Sequence, residues 1–173
     1  MKNPRLKMKK RVVFKKGKYV VTRKGNVVIR LSKKIYSGLK PFCEKIKIAG
    51  SIRREEKNPV DIDIVLIPKN KQKIIDYMKI YGKYLQGGDK RVSFKINGIK
   101  AELYFTNPKS WGATLLSYSS NTGSSIGLRM FAKRKGYKLN QYGLFKDKKY
   151  IVGKTEREIY EALGKKYKSP RLR

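Results

Sequence analysis

The sequence predicts an α+β fold of two lobes, a larger one on a mixed β-sheet up to residue 106 and a smaller α+β one over 107–173. Three observations carry that expectation. Residues 60–67 (VDIDIVLI) alternate acid and apolar and then become wholly apolar, the pattern of a central strand buried on both faces. Asn97-Gly98 divides two apolar runs, 92–96 and 99–105, as a two-residue hairpin turn does. Thr155 and Glu158 are spaced as a capping box, with Gly164 as the stop for a helix ending at Leu163.

The elements follow in chain order. The first 40 residues hold 15 Lys and Arg, and no acid precedes Glu44. Within them, β-branched runs at 12–14, 19–21 and 27–29 are separated by Lys16-Gly17 and Lys24-Gly25, which predicts a small basic β-meander. Ser32 is the expected cap of a helix to about Glu44, with Ile35, Leu39, Phe42 and Ile46 at helical spacing and Cys43 on its apolar face. Residues 46–49 predict a short strand entering Gly50-Ser51, and 52–56 a short helical segment. An amphipathic helix is expected over Lys71–Tyr81 and a loop at Gly87-Gly88. After Pro108, helices are expected near 109–118 and 123–135, the second ended by Gly136, then short strands at 144–145 and 150–152. Trp111 beside Leu115 and Leu116 is expected in the core, and Tyr137 and Tyr142 in the packing of the small lobe.

Composition excludes several classes. A chain of 173 residues is long enough for a buried core, and 39% hydrophobic content with 12 Tyr and 6 Phe excludes wholesale disorder. No apolar run approaches the roughly 20 residues of a membrane span, and the basic N-terminus lacks the apolar stretch of a secretory signal, so an intracellular protein is expected. One cysteine leaves no internal disulfide, and zero histidines remove His-dependent triads and most zinc sites. A net charge of +33 opposes compaction and calls for a polyanion, nucleic acid first. On charge alone, a packaging or ribosomal-type protein that coats nucleic acid is favoured over an enzyme.

The acids change that balance. Asp61 and Asp63 stand two apart on a predicted strand and leave one face, where their repulsion suits magnesium, a hard ion with oxygen ligands. Gly50-Ser51 lies ten residues upstream before a short helical segment, an anion site to which Arg53 and Arg54 add charge suited to a triphosphate. A phosphate cradle facing an acid pair equips a protein for nucleotidyl transfer, in which two metals about 4 Å apart serve the attacking and leaving oxygens. A strand after the Asn97-Gly98 hairpin can lie beside the Asp61 strand and point Glu102 at the same face.

Gly50-Ser51-x-Arg53-Arg54 with Asp61-x-Asp63 resembles the signature of the polymerase β nucleotidyltransferase superfamily. The stretch 138–145 (KLNQYGLF), then Thr155-Glu156-x-Glu158-Ile159, Ala162-Leu163-Gly164 and Tyr167, resembles the end of family X DNA polymerases. The resemblance covers roughly residues 32–173. It implies a nucleotidyltransferase palm over 1–106 and a nucleotide- and DNA-binding subdomain over 107–173, without the family's N-terminal lyase domain. It also implies two Mg2+ ions, with Mn2+ as a substitute, on Asp61, Asp63 and Glu102, the last where the family has Asp. Gly50, Ser51 and Arg54 would hold the nucleotide's phosphates. The segment Ser117-Tyr118-Ser119-Ser120-Asn121 would occupy the place of the family's Tyr-Phe-Thr-Gly-Ser around the incoming sugar and base, with Ser117, Tyr118, Ser120 and Asn121 as the expected nucleotide contacts. Lys100 would contact the primer terminus and Arg129 the template-side minor groove. Lys133, Lys138 and, in the basic N-terminal stretch, Lys10 and Arg11 are further expected DNA contacts.

The expected function is therefore templated addition of dNTP to a primer 3′-OH in gapped or nicked duplex DNA, filling short gaps in DNA repair, by a monomer without a membrane partner. A template-independent nucleotidyltransferase and a non-catalytic DNA-binding protein on a polymerase scaffold are the alternatives.

Overall fold

The computed structural model describes residues 25–173 with their side chains and residues 10–15 and 18–23 as backbone. In chain order it begins with an antiparallel hairpin, β1 (Lys10–Lys15) and β2 (Lys18–Arg23), paired in a sheet of their own. Two strands of the expected meander are these. The third is not a strand.

Residues 27–29 lie instead in α1 (Gly25–Leu39), which begins seven residues before the expected cap. Gly25, Val28, Ser32, Ile35 and Leu39 are buried at spacings of three and four, so burial of one helical face overrides the strand preference of the β-branched run. Ser32 is inside the helix, where its hydroxyl donates to the Ile29 carbonyl at 2.8 Å. A 3-10 turn at Lys40–Phe42 ends the helical stretch, and β3 (Cys43–Ile48) follows. Cys43 therefore opens a strand rather than lying on a helix face, and burial pushes its thiol up to about 11. The rest of this lobe is α2 (Gly50–Arg53), β4 (Ile62–Pro68), α3 (Lys71–Tyr81), β5 (Lys83–Gly87), β6 (Arg91–Ile96) and β7 (Ile99–Phe105). Gly87 thus closes a strand that was expected to be loop. All five residues of β5 are exposed at the sheet edge, so no apolar alternation announces it.

The strands form one mixed sheet in the order β3-β4-β7-β6-β5, with β4 and β7 parallel and the other pairs antiparallel. One face packs Ile62, Ile64, Leu66, Phe94, Ala101 and Leu103 against Val28, Ile35 and Leu39 of α1 and Ile74 and Met78 of α3. The chain continues as α4 (Trp111–Ser119), α5 (Thr122–Arg134), β8 (Lys138–Asn140), β9 (Gly143–Lys146), β10 (Lys149–Val152) and α6 (Glu156–Ala162). Its core joins Ala113, Leu116, Leu128, Ala132, Leu144, Ile159 and Leu163, with Tyr137 packed on it. The capping box at Thr155 and Glu158 forms as the spacing predicts. Between the two lobes, Ala49, Val65, Tyr104 and Leu115 meet under Trp111 and Tyr118. The fold is α+β with a mixed sheet and a smaller α+β lobe. No helix among the described residues is long and apolar enough to cross a membrane.

Candidate active site

The second face of the sheet is covered only in part, and the acids emerge on it. The parallel register sets Asp63 directly opposite Glu102, with Ile62 opposite Ala101 and Ile64 opposite Leu103. Alternation then sends the apolar neighbours to the α1–α3 core and both acids to the other face. Asp61 stands just before β4. Burial, then the nearby Asp61, and more weakly Glu102, push the Asp63 carboxyl up to about 6, against a hydrogen bond from Tyr104. That bond runs from the Tyr104 hydroxyl to Asp63 Oδ1 at 3.2 Å, and Tyr104 in turn stacks on Tyr118 with ring centroids 3.6 Å apart. Burial and the facing acid push the Tyr104 hydroxyl well up, so it remains a donor.

Glu102 is clasped by cations. Lys100 Nζ lies 2.9 Å from Oε2 and Arg91 Nη1 3.4 Å from Oε1, an oxygen that is buried without a hydrogen bond. Among the described residues, no three acid, His or Cys side chains converge closely enough to hold a metal ion by themselves. The chemistry of the donors nevertheless suits a hard divalent ion: carboxylates of Asp63 and Glu102 on one face of the sheet, with Asp61 close enough to add to the effect of burial in raising the Asp63 carboxyl.

The turn before α2 is tied to the backbone of Asp63 and packs against its side chain. Ala49 donates its backbone N–H to the Asp63 carbonyl at 2.8 Å. Gly50 follows with φ +58°, and a Cβ there would collide with Asp63 Oδ2, so two independent constraints require glycine. Ser51 Oγ is buried with no hydrogen-bond partner, the condition of a hydroxyl held ready for an acceptor.

The two arginines separate. Arg54 donates to Glu56 Oε1 at 2.6 and 2.9 Å and to the Ser119 carbonyl at 3.3 Å. Arg53 turns away, donating to both oxygens of Glu156 at 2.8 and 2.6 Å and to Ser119 Oγ at 2.9 Å. Burial alone would raise the Glu156 carboxyl, but hydrogen bonds from Arg53 and Arg173 outweigh it and hold it below the usual range.

The remaining expected residues divide likewise. Tyr118 stands beside the acids through Tyr104, and Ser117 is half-buried at the same helix end. Ser120 Oγ donates to the Leu116 carbonyl, and Asn121 caps α5 by accepting from Ser124 N at 2.8 Å, so both are engaged in the α4–α5 junction. Arg129, Lys133 and Lys138 are exposed, and the last two line a cleft of about 450 Å³ with Tyr137 and Phe145. Lys10 and Arg11 fall on β1, whose side chains lie outside the described residues. Tyr104, Glu156 and Arg91 escaped sequence reasoning. Only Glu156, inside the Thr155–Glu158 motif, had a signal that could have found it.

The known proteins that this chain is similar to include several DNA polymerases. The family described as DNA polymerase beta thumb matches residues 114–173. Repair DNA polymerase X of African swine fever virus (isolate Pretoriuskop) is 31% identical over 152 residues, covering 80% of this chain and 87% of that protein. DNA polymerase IV of Saccharomyces cerevisiae is 36% identical over 62 residues, which are 36% of this chain and 11% of that one. Among solved structures, Leishmania infantum polymerase beta, in a ternary P/T complex, superposes with TM-score 0.75 over 87% of this chain and 76% of its own. At 18% identity that likeness speaks for the fold. Identity of 31% along most of both chains speaks for descent, and the chain belongs to the family X DNA polymerases.

Proposed function

We propose that this repair polymerase fills short gaps in duplex DNA, adding a templated dNTP to the primer 3′-OH with two magnesium ions at Asp61, Asp63 and Glu102. The observation that carries the reading is the parallel register of Asp63 and Glu102 beside the Gly50-Ser51 turn. Magnesium, or manganese in its place, would supply charge neutralisation at the triphosphate and acidify the primer hydroxyl. The protein's own groups do the rest. The backbone at Gly50, the free Ser51 hydroxyl and Arg54 bind the triphosphate, and Arg53 anchors the cradle through Glu156. Glu102 accepts the proton of the primer 3′-OH at a carboxylate oxygen. Tyr118, at the end of α4, borders the incoming sugar, with Ser117, Ser120 and Asn121 shaping that junction. Lys100 binds the primer-strand phosphate, while Arg129, Lys133, Lys138 and the basic stretch with Lys10 and Arg11 hold the duplex. The protein acts as a monomer on gapped or nicked DNA.

The test supplies gapped duplex DNA, magnesium and each dNTP singly. Insertion of only the templated nucleotide supports the proposal. Addition without a template would make it a template-independent transferase, and tight binding without insertion a non-catalytic scaffold.

A further inference from the structure

The two oxygens of Glu102 have different partners. Lys100, two residues earlier on β7, holds Oε2 at 2.9 Å. Oε1 has no hydrogen bond and faces Arg91 Nη1 at 3.4 Å, from the neighbouring strand. The β6–β7 register explains the approach. Ser93 lies opposite Glu102 and Arg91 opposite Tyr104, so Arg91 is the diagonal neighbour of Glu102 on the same face. A direct neighbour as small as Ser93 leaves that diagonal open. Among the described residues, Glu102 is the one ion-pair partner of Arg91.

We propose that Arg91 is a positioning residue: by clasping Oε1 from β6 while Lys100 holds Oε2 from β7, it fixes the direction in which Glu102 presents its carboxylate beside Asp63. The inference rests on the reading of Glu102 as the third carboxylate of the site. A glutamate has one more rotatable bond than an aspartate, and a carboxylate free to swing would spend less time in the reacting geometry. Arg91 is half exposed, and ion pairs of that exposure add little to stability. Its consequence is where the carboxylate is held, more than how firmly the sheet folds. The competing role, a surface cation that only binds DNA phosphate, makes a different prediction, because it does not depend on the length of residue 102.

The experiment is a double-mutant cycle on single-nucleotide insertion into gapped DNA. Arg91→Ala should lower kcat by about 10- to 10²-fold, the scale of a catalytic group misplaced by about 1 Å, with KM for dNTP nearly unchanged. Arg91→Lys should restore part of that loss. In a Glu102→Asp background the shorter carboxylate no longer reaches Arg91, so Arg91→Ala should cost less than about threefold there. If Glu102→Asp inserts nothing, the matter is decided in the Glu102 background alone, by a fall in kcat for Arg91→Ala at unchanged KM and unchanged DNA affinity, with partial recovery in Arg91→Lys. Equal effects in both backgrounds, or a change confined to DNA affinity, overturn the proposal. Parental insertion by Glu102→Ala would instead remove Glu102 from the site, a failure of the functional reading and separate from that of the cycle.

Discussion

Arg53 and Glu156 lie 103 positions apart in sequence and are joined by two parallel hydrogen bonds of 2.8 and 2.6 Å. The arginine ends the short helix α2 that opens at Gly50, and the glutamate lies in the first turn of α6 in the smaller lobe. Arg173 completes the cluster from the chain end, at 2.9 Å from Glu156 Oε1.

Breaking this cluster should be costly. Both side chains are about nine-tenths buried, and removing one partner leaves an uncompensated charge. Glu156→Ala should lose about 3–5 kcal/mol in urea unfolding, with a fall in kcat as Arg53 releases the cradle. A loss below about 1 kcal/mol would mean that water already screens the cluster.

The same glutamate should shape the acid limb of stability. Its folded pKa lies below the unfolded value, so its contribution is fully present above the unfolded glutamate pKa, about 4.3, and is lost as pH falls through the folded value. Thermal midpoints measured from pH 7 down to pH 3 should therefore fall less steeply for Glu156→Gln than for the parent. Parallel curves would remove Glu156 from the acid transition.

Gly50→Ala tests the turn. The new methyl meets Asp63 Oδ2 on a backbone at φ +58°, so it strains the turn and displaces the carboxylate together. Insertion should fall by about 10²-fold or more, with about 1 kcal/mol of lost stability from the left-handed backbone. An Ala variant as active as the parent would show that Asp63 can shift freely without consequence.

Glu102→Ala should nearly abolish insertion while leaving DNA affinity unchanged or slightly higher, since Lys100 and Arg91 lose the acid they neutralise. Glu102→Asp should retain measurable activity, and Asp63→Ala should be inactive. Parallel gel-shift and insertion assays separate these effects.

DNA binding should be steeply salt-dependent. With a net charge of +33 and about 6–10 phosphates contacted, affinity should fall about 10³- to 10⁵-fold between 50 and 200 mM salt. A flat titration would contradict an electrostatic grip.

Local signals carried much of the fold. Asn97-Gly98 forms the turn between β6 and β7, Lys71–Tyr81 is a helix over its expected span, and the Thr155 box caps α6. Reading failed where a distant partner decides. Residues 27–29 are helical because Val28 meets the sheet, and β5 is a strand because β6 offers it an edge. The site divides in the same way. The acids and Gly50 were legible from spacing. Nothing local distinguishes Arg53, which Glu156 claims, from Arg54, nor marks Tyr104 or Arg91, whose roles exist only once strands and lobes meet.

The parallel register of β4 and β7 has a mechanical consequence. Carboxylates on adjacent strands repel, and left to themselves they would spread the strands or slip the pairing by one residue. A slip of β4 by one would drive Asp63 into the helix-covered side and eject Ile62 and Ile64 into water, and a slip of β7 would do the same to Glu102, Ala101 and Leu103. Each of the larger three contributes about 1.5–3 kcal/mol by staying buried. Oil on one side of the sheet is thus the spring that holds like charges together on the other, and the acids keep their spacing because hydrocarbon they never touch has nowhere else to go.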